Sequence, residues 1–196
     1  MNKGINTYET ILDKAIFIAS KTGMEALTIG KLSNSVGMSK GGLFSHFNSK
    51  EQLQLDLLKA VTKKFIAKVI NPSKKAATGE PQLRVLATKL INWANAEFMP
   101  GGCLLHSASI EYDDRPGAVR DFLVENQKIW IDVIGKTAID AIAEGQFRSD
   151  LNTVQFAFEF QSIFPSYQYA SRLLNDSEAE SRALKILDKL LDDARN

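Results

Sequence analysis

The chain contains 196 residues, of which 44% are hydrophobic and 24% are charged, and its formal net charge is +1. These values are ordinary for a globular protein. The single cysteine, Cys103, excludes an intrachain disulfide, and we find neither a secretory signal nor an apolar run of about 18 residues. We therefore expect a cytoplasmic protein that does not enter the membrane.

The small net charge conceals an uneven distribution of charge. Residues 1–75 contain 12 lysines, no arginine and five acidic residues, which gives +7, whereas the remaining 12 basic and 18 acidic residues give −6. A basic first third suggests contact with a polyanion, and a chance cluster of solvated lysines explains the charge equally well.

Apolar residues recur at helical spacing almost throughout the chain, and strand patterns are weak. A first helix is predicted from Thr7 to Thr22, with Gly23 just after its end. Thr28 is a suitable N-cap for a short second helix that ends near Val36. The pattern so far predicts two helices separated by a short loop.

The next elements are a tight turn and two further helices. Residues 37–39 form the turn, in which Gly37 is free to adopt a positive φ, and Ser39 caps a short third helix over 40–47. The fourth helix opens with a capping box at Ser49 and runs to about Ile70. Asn71-Pro72 is expected to end it, and the polar stretch that follows reads as a linker.

Five more helices are predicted beyond the linker, which makes the protein all-α with about nine helices. Their approximate ranges are 81–98, 103–111, 116–143, 152–174 and 177–194. The fourth of these is apolar on nearly every side, so it should be buried on more than one face. Pro165 within it should produce a kink or a local irregularity.

Two adjacent glycines, Gly41 and Gly42, stand where the third helix begins, although each costs about 0.5–1 kcal/mol relative to alanine inside a helix. Two short helices joined by a glycine-containing turn match the helix-turn-helix plan, in which the second helix enters the DNA major groove. Without a Cβ at either position, the start of that helix can approach the DNA backbone closely. Taken alone, the glycine pair is also compatible with a simple loop.

The side chains around the glycines are suited to DNA. Lys40 can reach a phosphate or a guanine edge, and Ser39 and Ser45 can donate short hydrogen bonds. His46 lies four residues after Gly42 and shares its helical face, although a surface or pocket-filling role is an alternative. Because residues 1–75 contain no arginine, we expect binding through phosphates and DNA shape with few direct base contacts.

Phe44 and Phe47 flank one turn of this helix. We expect Phe47 in the core and Phe44 at the groove. Thr28 and Lys50, at the starts of the second and fourth helices, are further candidates for phosphate contacts.

The region from about Thr7 to Leu57 resembles the DNA-binding domain of the TetR family of transcriptional regulators, of the AcrR-like kind. The resemblance is carried by order and spacing, from VGMSKGGLF to the ending LFSHFNSKEQL. It implies an all-helical homodimer with about nine helices per chain. It also implies that Thr28, Ser39, Lys40, Gly41, Gly42, Phe44, His46 and Lys50 occupy DNA-contacting positions, and we add Ser45 for its hydroxyl group, which makes nine candidates.

The chain departs from the family at one of these positions. Many members have a tyrosine whose hydroxyl meets a phosphate where this chain has Phe44. The ring can still pack on the sugar-phosphate backbone, but that hydrogen bond is absent. The stretches GGCLLHSASIEYDDRPGAVRDFL and GQFRSDLNTVQFAFEF resemble the C-terminal domain of one subgroup, where members diverge widely.

The resemblance also implies that different parts of the chain have different functions. Residues 1–48 are expected to be the helix-turn-helix domain, helix 49–71 the connection, and residues 72–196 the effector-binding and dimerisation domain. Dimerisation is expected through helices at about 152–174 and 177–194, which form a four-helix bundle across a two-fold axis. Ligand binding is expected to shift the fourth helix and change the spacing of the two recognition helices.

Aromatic and polar residues of the larger domain are candidates for an effector pocket, and for each of them a place in the packed core is the alternative. They are Trp93, Phe98, Cys103, His106, Phe122, Trp130, Phe160, Phe164 and Tyr167. His106 is the strongest candidate for a polar anchor because it is the only histidine outside the helix-turn-helix region.

The sequence therefore predicts a repressor that binds a palindromic operator on double-stranded DNA as a dimer and is released by a small apolar or aromatic effector. An activator of the same fold, or a helical small-molecule-binding protein without DNA binding, are the alternatives. We find no nucleophile elbow, phosphate loop or metal-ligand motif, so an enzyme, a metal site and a cofactor are not expected.

Overall fold

The computed structural model describes residues 3–195, and in this range every regular element is helical, as predicted. None of these helices combines the length and the apolar composition needed to cross a membrane. The nine helices are α1 (Lys3–Thr22), α2 (Ile29–Val36), α3 (Lys40–Phe44), α4 (Lys50–Phe65), α5 (Glu80–Ala94), α6 (Leu104–Glu111), α7 (Ala118–Ala143), α8 (Thr153–Gln168) and α9 (Ala179–Arg195). The ends of the predicted domain ranges, residues 1–2 and 196, lie outside the described residues.

The helix caps follow the sequence closely. Thr28 Oγ1 accepts a hydrogen bond from Lys31 N, and Asn152 Oδ1 accepts from the first backbone N–H groups of α8. Ser49 Oγ accepts from Gln52 N at 3.0 Å, as half of the predicted capping box. These caps are short-range interactions, which is why the helix starts could be predicted.

Two helices contain a π-helical turn near a proline. Asn71-Pro72 does not end α4, because a π-helical turn (Ile66–Ile70) leads directly into a last helical turn (Asn71–Ser73). Pro72 is tolerated there because a first-turn position needs no backbone N–H. In α8, Pro165 is followed by a π-helical turn (Tyr169–Leu173), which is the predicted irregularity.

α3 and α5 are shorter than predicted. α3 ends at Phe44 rather than Phe47, and the chain leaves it through a tight turn in which His46 N donates to Leu43 O. α5 ends at Ala94 rather than at residue 98. Two tight turns follow, in which Met99 N donates to Ala96 O and Gly102 N to Met99 O.

The chain forms two compact units that do not follow sequence order. The first unit is Met1–Lys64 with Asn95–Val124, and the second is Phe65–Ala94 with Glu125–Asn196. Residues 95–124 therefore belong with the helix-turn-helix rather than with the rest of the predicted C-terminal domain. The functional division at residue 72 stays a prediction.

The core of the first unit is built from α1, α2, α3 and α4. Its largest fully buried side chains are apolar and include Ile11, Ile16, Leu32, Leu43, Phe47, Leu53 and Leu57. At one edge Tyr8 stacks on Phe47 with ring centroids 5.3 Å apart, and its hydroxyl donates to Asp56 Oδ2. Burial and the Asp56 carboxylate raise the pKa of Tyr8 to about 12, so the hydroxyl stays a donor.

The second unit has an aromatic core. Phe65 contacts Trp93 and Trp130 edge to face, each at a ring-centroid distance of 5.3 Å, and Phe156 and Phe160 are fully buried. At its surface, Glu80 at the start of α5 binds Arg84 and also Arg195 at the end of α9. These ion pairs lower the pKa of Glu80, with the Arg195 hydrogen bond as the main cause.

Candidate nucleic-acid interface

The α2–turn–α3 segment forms the predicted helix-turn-helix. Gly37 ends α2 in the left-handed region at φ +69°, and Met38 N donates to Ser33 O at 3.0 Å. Ser39 then caps α3, because its Oγ accepts from Gly42 N at 3.0 Å. The turn is therefore fixed by one positive φ and these two local hydrogen bonds.

The nine residues predicted to contact DNA, which we call the recognition surface, lie at the starts of α2 and α4, along α3 and in the turn that follows α3. Six of them are exposed: Thr28, Ser39, Lys40, Gly41, Phe44 and Ser45. Gly42, His46 and Lys50 are half-buried. The exposed six are available to a partner, and their contacts with DNA stay a prediction.

Gly41 and Gly42 have different surroundings. A Cβ at Gly42 would lie 3.2 Å from Ser39 Oγ, so this glycine leaves room for the α3 cap. A Cβ at Gly41 would have no heavy atom within 4 Å. The protein itself therefore offers no steric reason for the glycine at position 41.

The hydroxyl groups of the surface have local roles that leave them able to bind phosphate. Thr28 and Ser39 each accept one backbone N–H, so their own protons remain for a phosphate oxygen. Ser45 Oγ donates to Gly42 O at 2.7 Å, which leaves its oxygen as an acceptor.

The two phenylalanines are placed as predicted. Phe47 is fully buried, whereas 49% of Phe44 is exposed. His46 lies beside the core, with its ring centroid 6.3 Å from that of Tyr8 and 6.4 Å from that of Phe47. One face of His46 thus has a packing role.

The lysines near the surface differ in their partners. A Cβ at Gly30 of α2 would lie 3.4 Å from Lys40 Cε. The aliphatic part of the Lys40 side chain therefore packs over the turn of α2 that contains Gly30. Lys50 instead binds Glu25, with its Nζ 2.8 Å from Oε2 and 2.9 Å from the backbone oxygen. The ammonium of Lys50 is therefore already compensated within the protein.

Two further lysines of α4 lie within 4 Å of a carboxylate. Lys64 Nζ is 3.0 Å from Asp13 Oδ1, and Lys59 Nζ is 3.7 Å from Asp56 Oδ1. Part of the +7 charge of residues 1–75 is thus neutralised locally. This favours the interpretation that Lys59 and Lys64 belong to a solvated surface and do not contact a polyanion.

The nine candidate effector residues do not come together in one unit. Phe98, Cys103, His106 and Phe122 belong to the first unit, and Trp93, Trp130, Phe160, Phe164 and Tyr167 to the second. Burial lowers the pKa of His106, so this side chain is neutral at physiological pH. A neutral imidazole can both donate and accept a hydrogen bond.

Three of the candidates line a narrow apolar crevice in the second unit. Phe160, Phe164 and Tyr167 on α8 face small and aliphatic residues of α5 and α9. The other lining residues are Ala87, Leu90, Ile91, Ile163, Ala183, Leu184 and Leu187. Trp130 lies outside this lining and donates its indole N–H to Gln161 Oε1.

Sequence reasoning missed several residues that support the recognition surface. The sequence predicts no role for Gly30. The only indication is that a glycine stands near the start of α2, where it lowers helix stability. Glu25, Glu111 and Tyr112 come together from positions 86 or 87 residues apart. No local pattern predicts that contact.

Comparisons with known proteins agree with this architecture. The family model for bacterial regulatory proteins of the tetR family matches residues 11–57, and the one for the tetracyclin repressor-like C-terminal domain matches residues 79–187. The transcriptional repressor KstR2 of Rhodococcus jostii (strain RHA1) is 24% identical over 159 residues, which cover 76% of this chain and 72% of that protein.

Solved structures share the fold. A TetR transcriptional regulator from Chloroflexus aurantiacus has a TM-score of 0.87 at 21% identity, over 98% of this chain and 96% of that one. AibR, in complex with isovaleryl coenzyme A and operator DNA, has a TM-score of 0.69 at 21% identity, over 84% and 85% of the two chains. With the helix-turn-helix in place and both family models matched, the chain belongs to the TetR family of transcriptional regulators.

Proposed function

We propose that the protein is a repressor that binds a two-fold symmetric operator as a homodimer. The main observation in favour is α3, where Lys40 and Phe44 are exposed and Gly41 has open space where a Cβ would stand. A glycine that costs helix stability and serves no internal contact is explained by the close approach of another molecule. In this fold that molecule is the DNA backbone.

The DNA proposal is tested by gel shift with a duplex that the wild-type protein selects from a randomised library. Lys40→Ala should weaken binding and reduce the slope of log K against log salt by about 1.8, because each protomer of the dimer loses one phosphate contact. Lys59→Ala is the matched control, since this α4 lysine lies outside the recognition surface and should leave the slope unchanged. An unchanged slope in Lys40→Ala would contradict the assigned contact.

The dimer proposal is supported by an apolar stripe on α8 and its π-helical continuation. Val154, Phe158, Tyr169 and Leu173 recur at helical spacing, and each is at least 58% exposed. Exposed apolar side chains grouped on one face mark a protein–protein interface. Dimerisation would set the two recognition helices one DNA turn apart, at about 34–36 Å.

Phe158→Asp should abolish this dimer, because it places a charge in the centre of the stripe. We expect a monomer in sedimentation velocity and an operator affinity lower by a factor of about 100 or more, since both half-sites must be engaged together. Glu159→Gln, at the adjacent exposed position, is the control. A Phe158→Asp protein that remains dimeric would place the interface elsewhere.

For the effector we propose a small, mainly apolar molecule. The walls of the crevice in the second unit are apolar. Because AibR is a structural neighbour seen with isovaleryl coenzyme A, this thioester is the first compound to test, with its small apolar acyl group as the part that the crevice would accept. Titration of isovaleryl coenzyme A into the protein–operator complex should release the DNA, with free coenzyme A as the control.

A further inference from the structure

The loop between α1 and α2 is held by the end of α6. Two consecutive backbone groups, Met24 N and Glu25 N, donate to the Glu111 carboxylate, at 2.8 Å to Oε2 and 2.9 Å to Oε1. A Cβ at Gly23, where φ is +87°, would lie 3.2 Å from both oxygens. Glu111 therefore occupies a close-fitting position against this loop.

Tyr112, which follows Glu111, makes a second contact with the α1–α2 loop through the side chain of Glu25. The Tyr112 hydroxyl donates to Glu25 Oε1, and Gln54 Nε2 of α4 donates to the Tyr112 oxygen at 2.7 Å and to Glu25 Oε1 at 3.2 Å. Glu25 Oε2 binds Lys50. We call the group of Glu25, Gln54, Glu111 and Tyr112 the α6 link.

The protonation states of the link are well defined. The Lys50 and Tyr112 hydrogen bonds lower the pKa of Glu25 to about 2, so it is a carboxylate. Burial, together with the Glu25 carboxylate, raises the pKa of Tyr112, so its hydroxyl keeps the proton that it donates. The contact between them is a charge-assisted hydrogen bond, which is stronger than a neutral one.

The link lies directly behind the recognition surface. The loop it holds ends at Thr28, the N-cap of α2, and α2 carries Gly30, over which the Lys40 side chain runs. Lys50 and Gln54 belong to the first two turns of α4. One group of side chains thus connects α6 to the starts of both α2 and α4.

We infer that Glu111 and Tyr112 are positioning residues for operator binding, through which the end of α6 sets the position of the α1–α2 loop and hence of α2 and α3. This inference rests on the proposed function and names a connection separate from the displacement of α4. α6 also carries His106, so a ligand that contacts this helix would reach the recognition surface through the link.

The test measures operator affinity, its salt slope and thermal stability for Glu111→Ala and Tyr112→Phe, with the library-selected duplex as probe. Each variant loses hydrogen bonds to a charged group, and we expect about tenfold weaker operator binding with an unchanged salt slope. Glu111→Gln keeps one acceptor oxygen but replaces the other by an NH2 donor, so it should recover only part of the affinity. Ile110→Ala, a 61% exposed neighbour on α6, should behave as wild type.

Each other outcome overturns a specific statement. Variants that melt earlier yet bind the operator as tightly as wild type would show that the link has only a structural role. A reduced salt slope would show that these residues contact DNA themselves. If Glu111→Ala does not fold, Tyr112→Phe decides alone, because it retains the ring. A wild-type protein that selects no duplex would instead refute the proposed function.

Discussion

The start of α3 and the loop before α6 each contain two adjacent glycines, and the first glycine of each pair has opposite surroundings. A Cβ at Gly41 would meet no heavy atom within 4 Å, whereas a Cβ at Gly101 would lie 1.6 Å from Ser20 O and 2.6 Å from Lys21 N. Gly101 N also donates to Ser20 Oγ. Gly101 is therefore required by the fold. Gly41 has no such role within the protein, and contact with a binding partner would explain it.

This difference shows how a glycine can be assigned to folding or to binding. Where an added Cβ would collide with the protein's own backbone, the residue is needed for packing. Where the Cβ would stand in open space and the backbone is helical, the residue only reduces stability. Substitution by alanine should then have opposite effects on the free energy of unfolding at the two sites.

Gly101→Ala should have the largest effect. Because the Ser20 carbonyl cannot move without distorting the end of α1, we expect a loss of about 3 kcal/mol in the free energy of unfolding. Urea denaturation followed by circular dichroism measures it, with Gly41→Ala as the matched control. Equal stability of Gly101→Ala and wild type would contradict the close contact.

Glu25 makes another internal contact of the first unit. Its replacement should lower the free energy of unfolding by an intermediate amount that depends on pH. Its pKa is lowered from 4.5 to about 2 in the folded state, so its contribution is complete above about pH 4.5 and is lost as the pH falls towards 2. The side chain is 40% exposed, which limits the contribution to about 1 kcal/mol.

The measurement compares wild type with Glu25→Gln in urea at several pH values. The stability difference should shrink as the pH falls from about 4.5 to about 2, because the carboxylate gains its proton first in the unfolded state and only near pH 2 in the folded state. The cations facing Glu25 are Lys50 and Arg115, and the Glu111 carboxylate accepts from the Glu25 backbone N–H. A difference that is constant with pH would show that the carboxylate gains nothing from these partners.

Gly41→Ala should have the smallest effect on stability and the opposite sign. Removing a helical glycine should stabilise the free protein by about 0.5–1 kcal/mol, while the new methyl group should weaken operator binding. Gly42→Ala is the control, because its gain is offset by crowding of Ser39 Oγ at 3.2 Å. A Gly41→Ala protein that binds the operator as tightly as wild type would remove the main support for the proposed DNA contact.

The sequence by itself determined the features that depend on neighbouring residues. The caps at Thr28 and Ser39, the turn at Gly37 and the burial of Phe47 follow from local hydrogen bonds and helical periodicity, and the TetR resemblance adds the order of elements. Such interactions reach only three or four residues along the chain, so a pattern in the sequence records them.

The tertiary structure alone decided which distant segments meet. It placed residues 95–124 with the first four helices, brought Glu111 and Tyr112 to the α1–α2 loop, and put Gly101 against Ser20. It also divided the candidate effector residues between the two units. These contacts join positions about 80 or more residues apart, and their energies come from packing and partner geometry that no local pattern encodes.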